Sequence, residues 1–219
     1  MATPDRKLRT RWDRSLLHLR IFACISLCAL VLVARVQAQT YAEVPPAAAY
    51  GPSYDVNAGT SYLSTQIPSA GRLNLYGLDA GGRIGFRPRW GVAADAAYVR
   101  ASNVFGTGHS SYVLTALAGP VFYPLEGRKT RAFLHGMVGA GLVDSAFPVS
   151  GGQYLHGYVE RPAYMAGGGM ERSLFGPFGF RFSGDYLRTA YANVNQTIQM
   201  QNNLRLTGSF VYRIHDRLR

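Results

Sequence analysis

The chain has 219 residues, a formal net charge of +11 and abundant glycine (25), tyrosine (14) and phenylalanine (11), a composition that favours β structure over helix. Both cysteines, Cys24 and Cys28, lie in the N-terminal apolar run. A chain processed after that run has no cysteine, which excludes a disulfide scaffold, a cysteine metal site and a cysteine nucleophile.

The N-terminus has the features of a targeting segment. Residues 1–20 are strongly basic, and the apolar run Ile21–Val33 precedes a small-residue stretch that ends at Ala38. This order predicts a secretory signal peptide over residues 1–38. The run is shorter than the 20 or so residues of a transmembrane helix, although Arg35 leaves an uncleaved anchor open. Cleavage would lower the net charge from +11 to +6, so no nucleic-acid partner is indicated.

Alternation of apolar and polar residues dominates the rest of the chain. Residues 39–52 are rich in proline and alanine and predict an extended periplasmic leader. Eight alternating segments follow, each about as long as a tilted strand that crosses a bilayer. The predicted strands are Ser53–Ser64, Leu73–Phe86, Trp90–Arg100, Ser111–Tyr123, Arg131–Val143, Ala163–Leu174, Phe180–Ala190 and Asn202–Ile214. The sixth strand is rich in glycine and has the weakest pattern.

The connections alternate between short and long. The predicted short ones lie around Arg87, at Pro124–Lys129 and around Gly176. The predicted long ones are Thr65–Arg72, Ala101–Ser110, Asp144–Arg161 and Ala190–Gln201. An even strand count with short periplasmic turns and longer outer loops is typical of membrane barrels. The sequence therefore predicts an all-β fold, a closed antiparallel eight-stranded up-and-down transmembrane β-barrel over residues 53–214, with a tail at 215–219.

The two faces of the strands predict two environments. Apolar side chains would face lipid, and aromatic residues gather near the strand ends, as interfacial girdles do. The polar face would line a lumen barely wide enough for its own side chains, and unpaired charges there would cost several kcal/mol each. A paired internal network is therefore predicted, with Asp185 meeting Arg205 and Asp55 meeting Arg213. Its predicted members are Asp55, Asp79, Arg83, Asp95, His135, Arg181, Asp185, Arg205 and Arg213.

Several motifs resemble a known family. They are Ala166–Arg172, Arg181 with Asp185–Thr189, and Gln201–Leu206, with weaker matches at Leu117–Pro120, Phe133–His135 and Val138–Ala140. Residues 53–214 resemble the eight-stranded OmpA-like outer-membrane β-barrels, particularly the short stand-alone form common in acidobacteria. The resemblance implies the outer membrane and its barrel-insertion machinery. Such barrels usually end on an aromatic residue, whereas Ile214 is followed here by residues 215–219, and no peptidoglycan-binding domain is expected after the barrel.

Catalytic and metal chemistry find little support. His109 and Ser111 have the His-x-Ser spacing of outer-membrane lipid A deacylases, in which a histidine activates a serine. A polar loop that enters the fourth strand is the simpler interpretation, because the motif lacks its structural context. His135 is expected to be a lumen residue. No spacing predicts a zinc or calcium site, no cofactor is implied, and the Arg128–Arg131 turn is expected to be a solvated basic cluster.

The sequence thus favours a non-enzymatic outer-membrane barrel with a structural or surface-contact role. Its expected partners are outer-membrane lipid and lipopolysaccharide. The predicted loop Asp144–Arg161 supplies the candidate contact residues Tyr154, His156 and Tyr158. A narrow pore for ions or small solutes is the main alternative, because inward glycines such as Gly77 and Gly139 would leave some space. A lipid A-modifying enzyme and a soluble barrel with a hydrophobic ligand inside are further alternatives.

Overall fold

The computed structural model describes residues 52–67, 71–87, 89–106, 108–126, 129–148, 154–192 and 198–215. The predicted signal peptide and leader, residues 1–52, therefore lie outside the described residues except at Pro52. The strands are β1 (Ser53–Ile67), β2 (Gly71–Arg87), β3 (Trp90–Ala101), β4 (Ser111–Glu126), β5 (Thr130–Pro148), β6 (Tyr154–Ser173), β7 (Phe178–Ala192) and β8 (Ile198–His215). Among the described residues, no helix is long and apolar enough to cross a membrane.

The eight strands close into one barrel. Each strand pairs with the next in antiparallel register, and β8 returns to β1 from Asp55↔Arg213 to Thr65↔Asn203. Through the middle of every strand the odd-numbered residues face inward and the even-numbered residues face outward. This period of two follows from the pleat of a strand, and it confirms the predicted fold. We call the end where β1 begins and β8 ends the base, and the opposite end the rim.

The rim differs from the prediction in how much of it is strand. Most of the predicted loop Asp144–Arg161 is strand, because β5 and β6 stay paired up to Pro148↔Tyr154 and only residues 149–153 connect them. Likewise β7 and β8 extend into the predicted loop Ala190–Gln201. The expected contrast between short base turns and long rim loops is therefore weak. The strands extend into the segments that were expected to be loops, because strand pairing provides hydrogen bonds to backbone groups that an open loop would leave to water.

Inward glycines bring neighbouring strands together. A Cβ placed on Gly77 would overlap the carbonyl oxygen of Tyr98 in β3, and one on Gly139 would overlap that of Ala116 in β4. The strands approach so closely there that no larger residue fits. These glycines therefore tighten the wall.

The interior has two parts along the barrel axis. Toward the rim it is an apolar core, to which the loop between β3 and β4 contributes Val104 as a cap. The core includes Leu63, Leu75, Val99, Val113, Val143, Leu187 and Tyr191. From the middle to the base, buried charged side chains share the interior with apolar side chains such as Leu117, Val121 and Phe133. The candidate site lies in that lower part.

Candidate functional site: the charged barrel interior

Glu171 is the centre of the charged interior. Its side chain is 0 % exposed, and β6 places it between Arg131 of β5 and Arg181 of β7 in direct register. Arg131 donates to Oε1 at 2.8 Å, Arg181 donates to Oε2 at 2.7 Å, and Arg213 of β8 donates to Oε1 at 2.7 Å. One carboxylate thus joins four strands through charge-assisted hydrogen bonds, the strong kind.

A second carboxylate completes this group near the base. Asp55 accepts from Arg181 at 2.7 Å and from Arg131 at 3.4 Å. Arg83 lies 3.8 Å from Glu171 and stacks its guanidinium 3.9 Å from the Phe133 ring. We call the group formed by these acids and arginines the base cluster: Asp55, Arg83, Arg131, Glu171, Arg181 and Arg213.

A second charged group lies above the base cluster. Arg205 is 2 % exposed and forms a two-pronged pair with Asp95, at 2.6 and 3.0 Å, while its Nε donates to Ser61. Asn57 links the two levels. Its Oδ1 accepts from Arg181 at 2.7 Å, and its Nδ2 donates to Asp79 at 3.3 Å. Hydrogen bonds therefore run from the base cluster through Asn57 to Asp79, whose Oδ1 has no hydrogen-bond partner among the described groups.

A glycine on β6 allows His135 and Asp185, which lie on the two strands beside it, to form a pair. His135 of β5 and Asp185 of β7 are separated by β6, where Gly167 is the register partner of both. A Cβ on Gly167 would overlap Oδ1 of Asp185. Without it, Nε2 of His135 reaches that oxygen at 2.8 Å, and Ser183 donates to Oδ2 at 2.9 Å. Serine and histidine both bind the carboxylate rather than each other, which is not the order of a catalytic triad.

Charges balance inside the barrel. Among the described interior side chains, five carboxylates face five guanidiniums. Arginines are in excess in the base cluster, and carboxylates are in excess above it. A cavity of about 10 Å³ between Leu63, Leu187 and Arg205 lies above the pairs, and such a volume holds at most about one water molecule. Charged side chains therefore occupy much of the described lower interior, although Asp79 Oδ1 and Arg83 Nη1 have no hydrogen-bond partner there.

All nine residues predicted for the network lie in the interior, but two predicted partnerships are wrong. Asp185 and Arg205 are register partners, yet Asp185 binds His135 and Arg205 binds Asp95. Asp55 and Arg213 are also register partners, yet Asp55 binds Arg181 and Arg131 while Arg213 binds Glu171. Arginine side chains are long enough to pass their cross-strand neighbour and reach a partner across the lumen.

Two members of the base cluster were missed. Glu171 lies in the glycine-rich strand whose alternation was weakest, although the odd-number parity of its neighbours Gly167 and Gly169 identifies the inward face. Arg131 was expected in a solvated turn, but it is buried and binds Glu171 and Asp55. Arg131 is the first inward position of β5, which starts at Thr130, and the odd-number parity of the predicted strand Arg131–Val143 already indicates that face.

The remaining candidates lie elsewhere. Ser111 is buried, and its hydroxyl donates to the backbone oxygen of Asp144 at 2.7 Å rather than facing lipid. Tyr158 is exposed near the rim, and Tyr154 and His156 are at the start of β6, with side chains outside the described residues. Within the described ranges, no three His, Cys, Asp or Glu side chains are grouped to hold a metal ion.

Comparison with known proteins indicates a shared architecture. The chain matches no family model and no curated protein. It is similar to the crystal structure of Ail, the attachment invasion locus protein of Yersinia pestis, in complex with the heparin analogue sucrose octasulfate. Identity is 19 %, coverage is 74 % of this chain and 99 % of Ail, and the TM-score is 0.52. For Neisserial surface protein A the values are 10 %, 74 %, 98 % and 0.57. At these identities the likeness shows the fold alone, a closed eight-stranded barrel like those of outer-membrane proteins.

Proposed function

We propose that this chain is a non-enzymatic outer-membrane β-barrel with a structural and surface-contact role in the cell envelope. The predicted signal peptide, the outward apolar belt and the fold shared with Ail and Neisserial surface protein A support the location. Large apolar side chains such as Leu78, Val138 and Phe210 are more than half exposed on the outer wall. In water such a belt would drive aggregation, whereas in a bilayer it is the expected surface of a barrel.

The observation that carries a structural role rather than transport is the filled interior. Glu171 and Arg205 span the lumen at two levels and are almost completely buried, and apolar side chains fill the space above them. A hydrated ion does not fit a cavity of about 10 Å³. The buried, ion-paired lumen therefore argues against the pore alternative.

Surface contact is assigned to the β5–β6 hairpin. These are the two longest strands, and their pairing continues beyond the last β4–β5 pair, Tyr112↔Asp144. The hairpin carries the candidate contact residues Tyr154, His156 and Tyr158. The heparin analogue bound to Ail supports a sulfated or phosphorylated saccharide as the first ligand class to test.

Heat modifiability and conductance test the barrel. The purified protein, folded in detergent, should migrate faster before boiling than after it and should fractionate with the outer membrane. In planar bilayers it should give no discrete conductance steps. A soluble periplasmic product without a boiling-dependent shift would refute the membrane assignment, and reproducible steps would refute the sealed interior.

Cysteine labelling tests the orientation. The mature chain is predicted to contain no cysteine, so Tyr158→Cys at the rim and Lys129→Cys at the base introduce single thiols in exposed positions. A membrane-impermeant maleimide added to intact cells should label the first variant and not the second. Labelling of the second variant alone would invert the proposed orientation and with it the contact role of the hairpin.

A further inference from the structure

The outer wall carries two aromatic belts of different chemistry. On the strands near the rim, the described outward aromatic side chains are all tyrosines: Tyr62, Tyr76, Tyr98, Tyr112, Tyr158, Tyr164 and Tyr186. Near the base they are mostly phenylalanine and tryptophan: Phe86, Trp90, Phe122, Phe178, Phe180 and Phe210, with Tyr54 and Tyr212. Aromatic side chains anchor a barrel at both interfaces. A tyrosine belt adds hydroxyl groups, so the two belts differ in the hydrogen bonds that they offer to lipid headgroups.

Two arginines repeat one pattern in the rim belt. Tyr98-Val99-Arg100 ends β3 and Tyr186-Leu187-Arg188 lies near the end of β7. In both strands the tyrosine and the arginine face outward, and the arginine lies about 7 Å closer to the rim. In the ring of eight strands, β3 and β7 are on opposite sides. The same pair is therefore presented twice, on two separate parts of the wall.

The surroundings of both arginines are also alike. Arg100 has Tyr76 and Tyr112 as register partners, and Arg188 has Tyr164 and Asn202. Cross-strand neighbours lie about 5 Å apart, so each arginine has side chains with hydroxyl or amide groups on both adjacent strands. Both arginines are exposed, and within the described part of the chain no ion pair joins either to a carboxylate.

The acidic residues of this belt lie between the two sites. Asp144 follows Tyr112 in the same cross-strand row, and Glu160 pairs with Leu142. Both belong to the β5–β6 side of the wall and have partners of their own. Arg100 and Arg188 are thus set apart from these two carboxylates around the ring of strands.

We propose that Arg100 and Arg188 each bind a phosphate group on a saccharide-headed lipid of the outer leaflet. This inference rests on the proposed outer-membrane location. A guanidinium binds phosphate through two parallel hydrogen bonds, and an arginine just beyond an aromatic belt extends toward the headgroups. The neighbouring hydroxyl and amide groups can form hydrogen bonds with sugar oxygens, which are fewer in the headgroups of glycerophospholipids. The base belt is instead mostly phenylalanine and tryptophan, and its outward Arg172 has Thr130 and Phe180 as register partners.

Lipid retention in nanodiscs tests the proposal. The folded full chain is placed in phosphatidylcholine nanodiscs that contain bisphosphorylated lipid A, the same lipid A without phosphates, or phosphatidylglycerol. Retained lipid is counted by native mass spectrometry. Two lipid A molecules should remain on the wild-type protein, one on Arg100→Gln or Arg188→Gln, and none on the double variant, with affinity per site lowered about tenfold. Arg172→Gln is the matched control, because Arg172 is exposed on the outward face near the base.

The outcomes separate this inference from the proposed function. Equal retention by the wild-type protein and the double variant would overturn it, as would equal retention of the dephosphorylated lipid. Equal retention of phosphatidylglycerol would reduce the site to any anionic lipid and overturn the saccharide assignment. In each of these cases a preserved boiling-dependent shift would leave the barrel assignment intact. A protein that fails to insert into any bilayer would overturn both.

Discussion

Replacing Glu171 by glutamine should destabilise the barrel more than the same replacement of an exposed glutamate. The substitution keeps the shape of the side chain but removes the charge that three guanidiniums contact at 2.7 to 2.8 Å. It also turns an amide group toward at least one of them. Asp55 would then be the only carboxylate left in the base cluster, facing four buried arginines.

The magnitude follows from burial. A unit-charge pair 4 Å apart is worth about 4 kcal/mol at an effective dielectric constant of 20, so three pairs give about 12 kcal/mol before desolvation. Desolvating the ions offsets much of this sum, and removing one partner of a buried pair costs about 3–5 kcal/mol. We expect Glu171→Gln to lower the free energy of unfolding by about 4 kcal/mol.

Urea titration of the protein folded into vesicles measures the effect, with the folded fraction followed by the gel shift and by tryptophan fluorescence. Glu160→Gln is the matched control, since it makes the same change at an exposed position of the same strand. It should cost less than about 1 kcal/mol. If the two variants unfold within about 0.5 kcal/mol of each other, the guanidiniums are solvated and the base cluster does not hold the strands together.

Three further experiments test separate parts of the interior. Gly167→Ala should cost about 1–3 kcal/mol in urea titration, because its Cβ overlaps Asp185, whereas Gly184→Ala, which meets only Leu206 at 3.5 Å, should be tolerated. A double-mutant cycle of Asp95→Asn and Arg205→Gln should give a coupling energy of at least about 2 kcal/mol, and a value near zero would mean that the buried pair is screened. Ser111→Ala should cost about 1 kcal/mol and leave the mass of lipid A in the cell unchanged, while a mass change would revive the deacylase alternative.

The strands and their faces were predictable because alternation with period two is a local property. A segment such as Asn202–Ile214 shows by itself which residues share a face, and closure of the barrel then decides that the polar face is inside. The lumen location of Asp79 or His135 needs nothing more than this parity. The extent of the rim hairpins was not predictable in the same way, because polar residues at 154–161 fit a loop as well as a strand outside the membrane.

The ion-pair partners were not predictable because they depend on distances across the lumen. Direct register puts Asp185 beside Arg205, and the local rule for cross-strand pairs then favours a pair between them. In a barrel this narrow, however, an arginine reaches strands on the other side. Arg205 of β8 therefore binds Asp95 of β3, three strands away around the ring. The sequence predicts which charged residues lie in the lumen, whereas their ion-pair partners follow only from the geometry of the closed barrel.

Glycine in β6 explains both the weak sequence pattern of this strand and its place in the ion-pair network. In β6, Gly167 leaves a gap through which His135 meets Asp185, and a Cβ on Gly169 would crowd the ring of Phe133, which carries Arg83 above it. Two residues further toward the base, the same strand places Glu171 among the arginines. Absent side chains weaken the alternation in the sequence and at the same time allow residues two strands apart to pair. The weak alternation of β6 thus follows from its position between β5 and β7, whose side chains His135 and Asp185 pair across it.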